Sequence, residues 1–372
     1  MTLLLTGATG FLGGELLARL VEQSDRDIIT LVRADDQAAA DARLDATLEA
    51  LLAPEVRERA RVRAVVAHLD QPGLGLGARE RDALVEGVDT IVHCAASVQF
   101  TLPLDEARRI NVDGTRAMLE LAGRAADLDR FVHVSTAYVA GDRGGPYRES
   151  EGDVGQQPRN TYEETKLAAE RHVLESGLPN VSIVRPSIVV GDSRTGWTPA
   201  FNVIYWPLRA FARGLLRVVP GDPEARVDIV PVDTVADALF ELAEGPAQTG
   251  TFHVVAGDAA PTTRQLVELA AGAFAVPLPD FVAPGEAPEV ERLAGAFLPY
   301  FRVRGTFAAA RGHAAGFAPP PFESYMSTLL TYADRAGWGR SGCRRWEFDI
   351  SMKTSRAWGL ASASRAAAWS GG

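Results

Sequence analysis

Tyr162 and Lys166 stand four residues apart in the segment Thr161-Tyr162-Glu163-Glu164-Thr165-Lys166, a spacing that on a helix stacks phenol and ammonium on one face. An ammonium beside a phenol favours the phenolate and makes the hydroxyl a better proton donor at neutral pH, and the same lysine can hold a ribose. Composition sharpens the pair, because Lys166 and Lys353 are the only lysines among 38 basic residues. A chain that uses arginine almost everywhere has kept lysine where a compact, titratable charge matters. Further hydroxyls follow at once on the strand-like run Arg130-Phe131-Val132-His133-Val134, in Ser135 and Thr136.

A second group of residues suits a dinucleotide. The apolar run 2–5 leads into Thr6-Gly7-Ala8-Thr9-Gly10-Phe11-Leu12-Gly13, after which an amphipathic helix begins. Glycines at 7, 10 and 13 permit a tight turn, close backbone approach to a pyrophosphate, and close helix-on-strand packing. The helix N-terminus adds free N–H groups and a positive dipole. An acidic residue at the end of the second strand would bind a ribose 2′-hydroxyl, but here that strand ends Leu31-Val32-Arg33. Arg33, joined by Arg43 from the next helix, matches a 2′-phosphate through a charge-assisted fork, so NADPH is expected in preference to NADH.

The elements that must carry these residues alternate short apolar strands with longer helical patterns, the mark of βαβ units and a parallel sheet. Strands are expected near 2–6, 27–32, 62–67, 89–94, 130–135 and 181–185, with helices near 12–23, 37–53, 78–86, 104–126 and 161–176. This predicts an α/β, Rossmann-type doubly wound parallel sheet whose carboxyl edge holds the ligand. After about residue 190 a stretch rich in Pro, Gly and aromatics gives way to a strand-like 227–232 and a helix near 233–244. The domain reading is a Rossmann domain over 1–255 with a substrate-loop insertion at about 192–226, a smaller C-terminal substrate lobe over 256–338, and a tail over 339–372 expected to be poorly ordered.

Bulk properties exclude several classes of function. A net charge of −10 argues against general binding to nucleic acid or anionic membranes. The two cysteines, Cys94 and Cys343, are too few for a disulfide framework or a zinc site, so no metal is expected and a reducing cytoplasm is the expected location. The short apolar start is followed immediately by the glycine turn, which argues against a signal peptide, and no long apolar stretch suits a membrane span.

The segments TGATGFLG, HCAAS, INVDGT, VSTAYV, YEETK and VRPSIVVG occur in the order of the extended short-chain dehydrogenase/reductases, which the chain resembles over roughly residues 1–255. Within that superfamily TGATGFLGGELL, VHCAASVQF, FVHVSTAYV and YEETKLAAE look most like thioester reductase domains, carboxylic acid reductases and fatty acyl-CoA reductases. The resemblance makes Thr136, not Ser135, the active hydroxyl beside Tyr162 and Lys166. It also implies cofactor contacts from Ala95, Ala96 and Ser97, from Asn111 at the catalytic turn, and from Pro186 and Ile188 at the nicotinamide amide. Where relatives often carry Gly-Asp-Leu after the third strand this chain has Ala67-His68-Leu69, so adenine contact there would fall to His68 and Leu69. His93 and His133 lie inside strands and read as core.

The activity so implied is NADPH-dependent reduction of an acyl thioester, carried by CoA or an acyl-carrier protein, to an aldehyde or further to an alcohol. Thr136 and Tyr162 would stabilise the oxyanion. Trp197, Phe201, Tyr205 and Trp206 are candidates for an apolar acyl wall, and Arg209, Arg213 and Arg217 for a face toward a CoA phosphate or an acidic carrier. The rival reading is an extended dehydrogenase or epimerase acting on an alcohol, ketone or nucleotide-sugar, with the same fold and triad.

Overall fold

A computed structural model of the chain describes residues 1–199, 201, 204–303 and 305–338. In chain order its strands are β1 (Thr2–Thr6), β2 (Asp27–Val32), β3 (Val62–Val66), β4 (Val88–His93), β5 (Arg130–Val134), β6 (Gly145–Arg148), β7 (Val181–Pro186), β8 (Ile188–Val190), β9 (Val218–Pro220), β10 (Ile229–Pro231), β11 (Gly250–Val254), β12 (Asp280–Val282) and β13 (Gly305–Ala308). Seven of them form one parallel sheet in the order β11-β7-β5-β4-β1-β2-β3.

The sheet is apolar on both faces because helices cover both. In β1, Leu3 and Leu5 point into a core shared with helices Phe11–Gln23, Gln37–Leu51 and Val232–Glu244. Leu4 points the other way, into a core with Met118 and Leu121 of helix Gly114–Ala122 and Val173 of helix Thr161–Leu174. Strand order reverses between β1 and β4, so the carboxyl ends of those two strands open the crevice where such sheets hold ligands.

The Rossmann expectation is met, with three local differences. The helix expected over 104–126 is broken into Leu104–Arg108, a π turn at Arg109–Asp113 and Gly114–Ala122. Gly114 is needed there, since a Cβ on it would come within 2.9 Å of the Leu69 Cβ. The sheet also continues beyond β7 to β11, a strand the sequence pattern did not announce. Finally, β6 pairs with β13, and smaller parallel pairs β8–β10 and β9–β12 complete the remainder.

The β6–β13 pairing ties an early segment to the C-terminal one. Glu149, just after β6, accepts hydrogen bonds from the backbone N–H groups of His253 (2.8 Å), Arg311 (2.7 Å) and Gly312 (2.7 Å). Around this seam Tyr138, Tyr300, Phe307, Phe322, Tyr325 and Leu329 form a core separate from those of the sheet. A buried ion pair also braces the frame: Arg185 of β7 meets Glu170 through two parallel bonds of 2.9 and 2.6 Å. Among the described residues no helix is long and apolar enough to cross a membrane, and no His/Cys/Asp/Glu cluster could hold a metal ion. The tail from 339 onward, with Cys343 and Lys353, lies outside the described residues.

Candidate active site

The glycine turn is built by backbone crowding. Gly7 adopts φ +79, and a Cβ there would stand 2.8 Å from the Ala95 nitrogen, so turn and β4 end touch main chain to main chain. A Cβ on Gly13 would lie 2.2 Å from the Gly7 carbonyl oxygen, which fixes how closely the helix Phe11–Gln23 approaches the turn. Its N-cap, Gly10, makes no side-chain cap bond, so the first-turn N–H groups keep their donor capacity. Ala8 is buried, whereas Thr9, Phe11 and Leu12 are partly exposed around the turn.

Thr6 joins this turn to the β4 end. Its hydroxyl oxygen accepts from the N–H groups of Cys94 (3.1 Å) and Ala95 (3.0 Å), which leaves its proton for His93 Nδ1 at 2.8 Å. On the far side of the ring, the Thr115 hydroxyl donates to the Asn111 carbonyl oxygen (2.7 Å), so His93 Nε2 must donate to Thr115 at 3.1 Å. His93 is thereby a neutral Nε2–H tautomer, consistent with burial and then the Lys166 charge drawing its pKa down to about 3.

Asn111, in the π turn, clamps the loop after Ala95 and Ala96. Its Oδ1 accepts from the Ser97 N–H (2.8 Å), and its amide donates to the Ser97 carbonyl (3.0 Å) and to the Thr165 hydroxyl (3.0 Å). Single-turn π-bulges recur at functional sites because they re-aim one side chain without ending the helix, and here the re-aimed group ties the loop to the Tyr162 helix. That helix starts at an N-cap, Asn160, whose side chain accepts from the Glu163 N–H at 3.0 Å.

Tyr162, half-buried, faces the strand-end hydroxyls. Burial pushes its phenol above the ordinary value, and hydrogen bonding with the Thr136 hydroxyl opposes that rise. Thr136 itself accepts from the Tyr138 N–H (3.2 Å) and reaches the Pro186 carbonyl at 3.5 Å. Ser135, by contrast, uses its backbone N–H on Val184 (2.7 Å), and its buried hydroxyl oxygen has no partner among the described residues. Pro186 ends β7, and Ile188 opens β8 with its N–H on the Asp228 carbonyl (3.3 Å).

Lys166 is buried and donates to the Val134 carbonyl at 2.7 Å, with His133 Nε2 at 3.3 Å. Burial lowers its pKa to about 8, with the charges of Glu170 and Cys94 working against the fall. The Lys166 charge acts on His93, Cys94 and His133, while Tyr162 answers first to burial and then to Thr136, Cys94 and Glu163. The helical spacing puts both groups on one face, yet the ammonium is drawn down to the end of β5.

At the end of β2, Arg43 donates to the Arg33 carbonyl oxygen and reaches the Thr9 hydroxyl at 3.4 Å. Both guanidinium groups are exposed, and neither forms an ion pair among the described residues. The Arg43 guanidinium thus borders the glycine turn, tied to the main chain of Arg33. His68 is half-buried beside Gly75, with its backbone N–H on Leu74 (2.9 Å), and Leu69 packs against Gly114.

Residues 5–239 match the family model described as "Male sterility protein". The chain belongs to the male sterility protein family. Among curated members of similar sequence are fatty acyl-CoA reductase 1 of Pongo abelii, 33% identical over 277 residues, and fatty acyl-CoA reductase 2 of Mus musculus, 30% identical over 302. These alignments cover 64% and 70% of this chain but 54% and 58% of the relatives, so the chain spans little more than half their length. Among solved structures, the terminal R domain from the myxalamid PKS-NRPS biosynthetic pathway superposes with a TM-score of 0.76 at 28% identity, covering 91% of this chain and 92% of that one. The thiolation-reductase di-domain from an archaeal non-ribosomal peptide synthetase shares the fold, with a TM-score of 0.73 at 20% identity, covering 91% and 76%.

In this member of the male sterility family, Trp197 and Tyr205 of the aromatic residues expected to form an acyl wall are buried and Phe201 is half-buried. Trp197 is buried with its ring 6.2 Å from that of Phe11. Phe201 meets Tyr205 edge-on at 5.2 Å, and the Tyr205 hydroxyl accepts from the Gly191 N–H at 2.9 Å. The Trp206 side chain lies outside the described residues. Arg213 and Arg217 are exposed and Arg209 half-buried, with no ion pair to any of them among the described residues.

Open apolar volume lies beside helix Tyr205–Ala212. Ile204, just before that helix, and its Pro207, Leu208 and Phe211 face Leu266 and Ala270 of helix Thr263–Phe274 across an apolar cavity. Thr263 is the one lining residue with a polar side chain among those described. Aromatic rings that sequence reasoning missed lie beside Tyr162. Phe100 lies 5.8 Å from the Tyr162 ring and stacks on Tyr300 at 5.0 Å, and Phe301, next in the chain, lines the cavity. Phe100 had a faint signal in its place just after the Ala95–Ser97 loop. Tyr300 had none.

Proposed function

We propose that this chain is an NADPH-dependent reductase of acyl thioesters, releasing an aldehyde from an acyl-CoA or acyl-carrier protein. The observation that carries the reading is an apolar cavity in a chain of the male sterility family whose Tyr162 lies beside the Phe100 ring. An aliphatic acyl group suits such a lining. A nucleotide-sugar, whose hydroxyls and phosphates need polar partners, does not.

The turn Thr6–Gly13 fits a dinucleotide because Gly7 and Gly13 let the turn, the β4 end and the following helix meet main chain to main chain while the first-turn N–H groups stay free to donate, and Arg33 with Arg43 would take the 2′-phosphate. His68 and Leu69 would border the adenine, and Ala95, Ala96, Ser97, Pro186 and Ile188 the rest. NADPH, when bound, supplies hydride to the thioester carbonyl. Thr136 and Tyr162 donate hydrogen bonds to that carbonyl oxygen as it gains negative charge, a term commonly worth about 3 kcal/mol per donor. Tyr162 yields its proton to the oxygen, and Lys166 holds the ribose and compensates charge at the strand end. Asn111 keeps the Ala95–Ser97 loop and the Tyr162 helix in register. The resulting hemithioacetal then expels the thiol and leaves the aldehyde, and a second reduction would give the alcohol.

The test follows NADPH absorbance on adding acyl-CoA thioesters of graded length, with NADH and the matching aldehydes in parallel. Oxidation with release of free thiol is expected, improving by roughly fourfold for each methylene that enters the cavity, at about 0.8 kcal/mol each. Turnover of ketones or alcohols with no thiol released from any thioester would overturn the reading in favour of the dehydrogenase alternative.

A further inference from the structure

His133 is completely buried in β5, and among the described residues its ring makes one hydrogen bond, from the Lys166 ammonium to Nε2, while Nδ1 has no partner. An imidazole kept for packing alone would carry this unsatisfied nitrogen at a cost of ~1–3 kcal/mol that a hydrocarbon avoids. The ring is held from behind by His93, whose own ring lies 5.4 Å away and is anchored at both nitrogens to Thr6 and Thr115. The ammonium has three donors. Val134 takes one and His133 a second, which leaves one to point out of the cradle.

We propose that His133 is a positioning residue for Lys166: as a neutral acceptor it holds the ammonium at the end of β5, favours its charged form, and leaves a single N–H directed at the site. This rests on the reading of Lys166 as part of the machinery, but the His133–Lys166 link is measurable without it. The groups facing Lys166 are His133 and the Val134 carbonyl from β5, His93 from β4 and Cys94 just after it, and Glu170 from its own helix. Glu170 is already committed to Arg185 of β7. Of these, His133 is the one neutral side chain seen to accept directly from Nζ. Its neutrality is secured by burial first, and then by the charge of Lys166 itself, which both hold its pKa well below the ordinary value. Removing an acceptor from the charged form of a base lowers its proton affinity, so the sign is fixed.

The chain makes a direct measurement possible, because only Lys166 and Lys353 are lysines. In protein labelled with 13C at the lysine Cε, two resonances titrate, and Lys353→Arg assigns them. The Lys166 midpoint, expected at about 8, should fall by about one pH unit in His133→Leu. It should return to within a few tenths of the parent in His133→Gln, which restores an acceptor. If His133→Leu fails to fold, His133→Ala replaces it with the same expectation. A midpoint unmoved by the loss of the acceptor, with only the melting temperature lowered, would overturn the proposal and leave His133 a packing residue. The alkaline limb of kcat/KM for thioester reduction should move with the midpoint. A shifted midpoint in a protein that reduces no thioester would sustain the His133–Lys166 link and defeat the functional reading instead.

Discussion

Lys166→Met is expected to abolish turnover while making the folded chain more stable at pH 7. Lys166 is 2% exposed, and burial draws its pKa from 10.5 to about 8. An unfolded chain binds the lysine proton more tightly than the folded one, so folding carries a penalty wherever the amine is charged in both states. That penalty is fully present below about 8, fades between 8 and 10.5, and is gone above. At about 1.36 kcal/mol per pH unit the gap is worth ~3 kcal/mol. Methionine has a similar shape and no charge to desolvate, but it leaves the Val134 carbonyl and His133 Nε2 without their donor, at about 1 kcal/mol each. The net gain is ~1 kcal/mol at pH 7, and it should vanish or reverse by pH 10.5 or above. Urea denaturation of parent and variant at several pH values between 7 and 10.5 measures both quantities. A variant less stable than the parent at pH 7, or one whose difference from it does not change with pH, refutes the reasoning.

Other expectations concern single groups. Tyr162→Phe removes the proton donor and the partner of Thr136, and should cut kcat by roughly a hundredfold or more while NADPH affinity, read by fluorescence, stays within about twofold. Gly13→Ala drives a methyl group to 2.2 Å from the Gly7 carbonyl oxygen, so cofactor binding by calorimetry should be lost even in protein that remains folded. Arg33→Ala, or Arg43→Ala, should weaken NADPH by about tenfold or more and leave NADH nearly unchanged, since each removes a charge-assisted contact to the 2′-phosphate alone. Equal losses for both cofactors would place the 2′-phosphate elsewhere. Filling the cavity with Ala270→Phe should penalise long acyl chains by tenfold or more in kcat/KM and spare short ones, and an unchanged chain-length profile would remove the cavity from the acyl path.

What could be read in advance followed the reach of each interaction along the chain. β1, β2, β4 and β5 were legible because each carries a buried apolar stretch, β3 at the sheet edge because its valines recur though it is only partly buried, and the turn Thr6–Gly13 because its contacts are local. Tyr162 and Lys166 were legible from helical spacing and from the rarity of lysine. The break at Arg109–Asp113 was not, because it depends on Asn111 reaching Ser97 and Thr165, fourteen residues upstream and 54 downstream. His133 was recognised as buried, but nothing in a strand pattern shows that an imidazole faces an ammonium 33 residues later. The cavity was hidden for the same reason: its walls come from 204–220, 263–270 and 290–301, and only folding brings them together. Trp197, Phe201 and Tyr205 drew attention by their type, whereas Leu208, Leu266 and Ala270 form the lining without being unusual.

The parallel pairing of β6 with β13 also bears on how the chain comes to exist. During synthesis the sheet strands through β7 can assemble early, but Glu149 waits for the backbone of Arg311 and Gly312, 162 and 163 residues later. Such long-range closure slows folding and leaves apolar surface uncovered while the ribosome finishes. A product stopped near residue 300 would contain every residue of the glycine turn together with Thr136, Tyr162 and Lys166, yet leave β6 without its partner. Nascent or truncated chains should therefore be clients of chaperones and proteases until residues beyond 312 emerge.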